Sequence, residues 1–192
     1  MNAQDITTGA ATTHGERPRA VVVGLGNPYR GDDGVGPAVA ELVERRLGRT
    51  PLDGLGLRVE VLAGIPDPMD LIGRWDDALV AVVVDAAETG TDAAIAVSPG
   101  TVSVIAARRD RTLADLPAAW PTSTHHLGLG TAIRVAHALD SAPAQVLVVA
   151  VEGEQFGFSD ALSPPVAAAV ELAADRVLQA LADAADEWTR TG

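Results

Sequence analysis

The segment AVVVGLGNPYRGDDGVGPAVAELVERRL, residues 20–47, reads as a strand, a turn and a helix in succession. Ala20 to Leu25 is a β-branched apolar run. It ends in a glycine-rich turn, after which Val39, Leu42, Val43 and Leu47 recur at helical spacing from Pro37 onward. Leu57 to Leu62 alternates like a second strand, and Pro68 to Trp75 supplies a short helical turn. Leu79 to Val84 is continuously apolar and stops at Asp85, as expected of a strand buried on both faces of a parallel sheet. Ala94 to Val97 and Val102 to Ala106 flank Ser98-Pro99-Gly100 and read as an edge hairpin. Leu127 to Leu139 has a helical pattern, and Gln145 to Val151 reads as another buried strand. Ser163 before Pro164-Pro165 is a helix-start signal, followed by a long alanine-rich helix.

Strands alternating with helices predict an α/β fold: a three-layer α/β/α sandwich around a twisted, mainly parallel sheet. A chain of 192 residues, 47% hydrophobic, suits one such domain. The expected division is a flexible tail over residues 1–18 and a single domain over 19–188.

Composition removes whole classes of chemistry. Without cysteine there is no thiol nucleophile, thiolate zinc site or cysteine-ligated iron-sulfur cluster. All 14 basic residues are arginine, so there is no Schiff-base lysine, Ser-Lys dyad or Walker lysine. A net charge of −12 argues against nucleic acid or an anionic membrane surface as partner. No signal peptide and no apolar run of transmembrane length is apparent, so a cytoplasmic location is expected. Gly24-Leu25-Gly26 begins like a dinucleotide fingerprint, but Tyr29 occupies the place of the third glycine. No nucleotide or organic cofactor is expected.

In an open parallel sheet, ligands bind beyond the carboxyl ends of the strands. Gly31-Asp32-Asp33-Gly34, Asp85 and Ser123-Thr124-His125-His126 all fall there. Each has a plainer reading: Asp32 or Asp33 as a helix cap, Asp85 as a turn residue, and the histidines as surface residues beside a cap. Their joint placement favours a site. Two carboxylates and an imidazole make a mixed oxygen and nitrogen ligand set suited to nickel or zinc.

The run from Val23 to Gly36 resembles the N-terminal signature of hydrogenase maturation proteases. The likeness extends through Val84-Asp85-Ala86, Ser123 to Leu129, Val151-Glu152-Gly153 and Leu162-Ser163-Pro164. The resemblance implies an endopeptidase that removes the C-terminal extension of a nickel-loaded nickel-iron hydrogenase large-subunit precursor. It implies Asp33, Asp85 and His125 as catalytic and metal-binding residues, with the nickel carried by the substrate. His125 is preferred to His126 because the family's Ser-x-His-x-x-x-Leu spacing runs from Ser123 through His125 to Leu129. Peptidyl-tRNA hydrolases share the Gly-Leu-Gly-Asn-Pro opening, but their histidine-bearing continuation is replaced here by Asp32-Asp33-Gly34. A non-catalytic nickel-binding maturation chaperone is the other alternative.

Overall fold

A computed structural model describes residues 17–49, 56–88, 97–108 and 124–191, with side chains described throughout except at 107, 108 and 124–127. Among these residues, five strands form one sheet in the order β2-β1-β3-β5-β4. They are β1 (Arg19–Leu25), β2 (Arg58–Ile65), β3 (Val80–Ala87), β4 (Val102–Arg108) and β5 (Gln145–Glu152). The first four in spatial order are parallel, and β4 runs antiparallel to β5 at the edge. Three helices accompany them: α1 (Val35–Arg49), α2 (Thr124–Ala138) and α3 (Pro164–Thr191).

Strand alternation separates two cores. Ala20, Val22, Val80, Val82, Val84, Leu147, Val149 and Val151 pack with α1 and α3. Val21, Val23, Leu25, Ala81, Val83, Val146 and Val148 pack on the other face with Leu129, Ala132, Ile133 and Ala136 of α2. This is the expected three-layer α/β/α arrangement. β1, β3 and β5 lack polar alternation because both their faces are covered, whereas the edge strand β2 alternates in exposure. Arg46 joins the two helices of one layer, pairing with Glu171 and, at 2.7 Å, with Asp175.

Several boundaries differ from the sequence expectation. β3 continues to Ala87, so Asp85 lies within a strand instead of closing it. A polar residue looked like a stop, but Asp85 keeps its ladder position opposite Ala150 of β5. α2 begins at Thr124, three residues before the first apolar residue of its pattern. The helical turn after β2 is confined to Pro68–Leu71, capped by the Asp67 side chain accepting from the Met69 amide at 2.9 Å. Of the edge hairpin, Val102 to Ala106 lies in β4; of its first run, Ala94 to Val97, residues 94–96 fall outside the described residues and Val97 belongs to no strand. Residues 1–16 of the expected tail also fall outside them. Pro18 already accepts from the Arg58 amide at 2.9 Å, and α3 continues to Thr191, past the expected domain end.

The turn after β1 brings α1 unusually close to the sheet. Gly36 lies against the Leu25 and Val84 carbonyls, with a hypothetical Cβ only 2.7 Å from the latter oxygen. Gly26, at φ +114°, adopts a backbone conformation suited to glycine and faces the Asp33 carbonyl. Glycine at both places lets the Gly31–Gly34 turn fold over the ends of β1 and β3.

Candidate active site

Gly31–Gly34 forms one turn of 3-10 helix that runs directly into α1. Arg30 occupies the cap position and makes no side-chain cap bond, so neither aspartate of this turn is its N-cap. The two diverge in role. Asp32 is fully buried and points into the loop between β5 and α3: Oδ2 accepts from the Glu154 and Gln155 amides, both at 2.9 Å, and Oδ1 from the Ser163 amide at 2.7 Å. Burial opposes its charge, but the backbone donors of Glu154, Ser163 and Gln155 outweigh burial and hold the carboxyl below its ordinary range. Asp32 is therefore a brace between two loops.

Asp33 faces the sheet instead. Its Oδ2 accepts the Asn27 amide at 2.9 Å, and it is 4% exposed. Asp85 is fully buried on β3, and strand alternation directs its side chain toward the α2 layer, opposite to Val84 and Ala86. Burial first, and then the neighbouring negative charge of Asp33, raises the Asp85 pKa to about 8. The two expected carboxylates thus meet at the carboxyl edge of the sheet, and near neutrality Asp85 retains its proton.

α2 supplies the same edge. Its C-terminal end returns the chain to the opposite edge, where the Ala144 and Gln145 amides donate to the Ala78 and Leu79 carbonyls at 3.0 and 3.1 Å. α2 therefore runs antiparallel to the central strands, with its first turn at the carboxyl edge. Gly128 agrees: a hypothetical Cβ there would lie 3.3 Å from Pro68, just beyond β2. His125 and His126 occupy that first turn, but their side chains lie outside those described. Among the described residues, no three His, Cys, Asp or Glu side chains form a metal-binding group.

One further buried carboxylate was not selected from sequence. Glu152 ends β5, is 6% exposed, and alternates to the same face as Asp85, two ladder positions farther toward the carboxyl edge. Its place in the Val-Glu-Gly motif was visible in the sequence. Its burial depends on β3 beside it and on the Thr101 turn, whose carbonyl accepts the Glu152 amide at 2.9 Å.

Asp85 carries a stability cost that pH exposes. Its ordinary value is 3.8, whereas the folded chain holds the proton to about 8. Between those values the folded state binds more protons than the unfolded state, so the stability due to the protonated carboxyl is complete below 3.8 and lost as pH rises through about 8. Asp85→Asn is expected to remove this slope and to melt at higher temperature than the parent at pH 8. Parallel melting curves from pH 5 to 9 would show instead that Asp85 pays no burial penalty.

The family model described as hydrogenase maturation protease matches residues 37–180, more than half the chain. The chain belongs to the hydrogenase maturation protease family. Escherichia coli (strain K12) hydrogenase 2 maturation protease is 28% identical over 171 residues, spanning 88% of this chain and 94% of that protein. The solution structure of an endopeptidase from Escherichia coli is 25% identical, with a TM-score of 0.68, and the alignment covers 86% of this chain and 93% of that one. A nickel-iron hydrogenase maturation protease from Thermococcus kodakarensis shares the fold at 20% identity and a TM-score of 0.64, over 85% of this chain and 99% of that one. Membership makes the chain a peptidase and sets aside the peptidyl-tRNA hydrolase and non-catalytic readings. Among the described residues, no helix of this maturation protease is long and apolar enough to cross a membrane.

Proposed function

We propose that this endopeptidase removes the C-terminal extension of a nickel-loaded nickel-iron hydrogenase large-subunit precursor in the cytoplasm. In this reading Asp33, Asp85 and His125 approach the nickel held by the substrate, and no nucleotide, organic cofactor, nucleic acid or membrane takes part. The supporting observation is the buried pair Asp33 and Asp85, in which burial first, and then the second carboxylate beside it, raises the Asp85 pKa to about 8. A cation entering between them relieves both the burial penalty and the repulsion, and it displaces that proton. Carboxylates with an imidazole are a fitting donor set for nickel.

Nickel carried by the precursor therefore completes the site at the moment of cleavage. The ion there would supply Lewis acidity to a water, and a carboxylate of the pair would orient that water for addition to the scissile carbonyl. The proton released from the water passes through a carboxylate to the departing amide nitrogen, giving a new C-terminal carboxylate and a free peptide. This arrangement ties cutting to completed metal insertion.

The test mixes metal-depleted protease with precursor that is either loaded with nickel or free of it. Cleavage of the loaded precursor alone is expected. Equal cleavage of both would overturn nickel sensing, and activity restored only by loading the protease would indicate an ordinary resident-metal protease.

A further inference from the structure

Phe158 is 95% exposed and Tyr29 63% exposed, in a chain with only one tyrosine and two phenylalanines. Isolated exposed aromatics are ordinary, but these two stand on loops bonded to each other and to the site. The Asp33 carboxylate accepts the Asn27 amide, and the Asn27 side-chain oxygen accepts the Tyr29 amide, each at 2.9 Å. The Tyr29 carbonyl accepts the Ser159 amide at 3.1 Å, and the Ser159 carbonyl accepts the Gly31 amide at 2.9 Å. One hydrogen-bonded chain thus runs from the Asp33 carboxylate to the loop carrying Phe158. Asp32 fixes that loop from beneath through its three amide bonds.

Such an arrangement holds aromatic surface in water on backbone that is already ordered. Binding there loses little conformational freedom, and exposed aromatic side chains on a fixed frame are the usual anchors of protein recognition. We infer that Tyr29 and Phe158 form a docking rim for apolar side chains of the precursor next to the scissile bond. The inference rests on the protease reading and assigns this rim to substrate capture, outside the chemical step. A second copy of the protease is the competing occupant.

The experiment compares wild type, Phe158→Ala, Tyr29→Ala and the double variant on purified nickel-loaded precursor, measuring kcat, KM and direct binding. The double variant is expected to raise KM and weaken binding by roughly tenfold or more, the scale of losing an aromatic anchor, with kcat within about twofold. Phe158→Trp is expected to restore binding. Unchanged KM and binding overturn the rim, as does a fall in kcat alone, or a wild-type dimer that the double variant dissociates. If wild type binds precursor without cutting it, the protease reading fails, and the binding comparison still decides the rim.

Discussion

Asp33→Asn is expected to lower precursor cleavage by about a hundredfold or more while leaving the melting temperature within a few degrees of wild type. The amide oxygen can still accept the Asn27 amide, which the carboxylate takes at 2.9 Å, so the turn keeps its geometry. What disappears is the anionic charge that the proposed mechanism offers to the substrate's nickel. The same loss removes the repulsion that helps raise Asp85, so the Asp85 pKa is expected to fall from about 8. Steady-state rates on nickel-loaded precursor, with thermal melts on the same samples, check both halves. A variant as active as wild type would return Asp33 to a purely structural role.

Asp32→Ala is expected to have the opposite profile, with a large loss of stability. Three backbone amides, those of Glu154, Gln155 and Ser163, would lose their acceptor. The Ser163 amide is buried and the other two are partly buried; a buried donor left without a partner costs about 1–3 kcal/mol and a partly buried one less, so in a chain of this size the sum lowers the melting temperature by roughly 5 °C or more. Asp32→Asn is no rescue, because its NH2 group would face amide donors. The Asp32 carboxyl is held below 3.8, so its contribution is present above that value and lost as pH falls through the depressed folded value. The difference between wild type and Asp32→Ala is therefore expected to narrow in acid. A melting temperature within about 2 °C of wild type near neutrality would contradict the bracing role.

This contrast shows where the sequence was legible. The first strand and helix, the buried β3 and β5, and the layer order follow from local apolar patterns, which need no knowledge of distant residues. The positions of Asp33 and Asp85 at one sheet edge follow from the rule that parallel strands present their carboxyl ends together. Asp32 was legible only as part of a motif. Its partners lie more than 120 residues away, and no local pattern distinguishes a brace from a cap. The continuation of β3 through Asp85 was hidden for a related reason: the strand is held by pairing with β5, whatever side chain the position carries. Glu152 is legible as part of the Val-Glu-Gly motif but not as a buried carboxylate, because its burial is set by the adjoining strand and turn. The antiparallel β4 was legible as a strand, whereas its pairing with β5 was not.

His125 is proposed over His126 from the Ser123 to Leu129 spacing that the family resemblance implies. His125→Ala and His126→Ala, compared on the same nickel-loaded precursor, separate the two neighbours, with the greater loss expected for His125.

The most direct test of the central claim is the intact mass of a purified nickel-loaded large-subunit precursor before and after incubation with this protein. The account predicts loss of a single C-terminal fragment with wild type and none with Asp33→Asn. An unchanged precursor mass with wild type, or cleavage at an internal position away from the C-terminal extension, would contradict it.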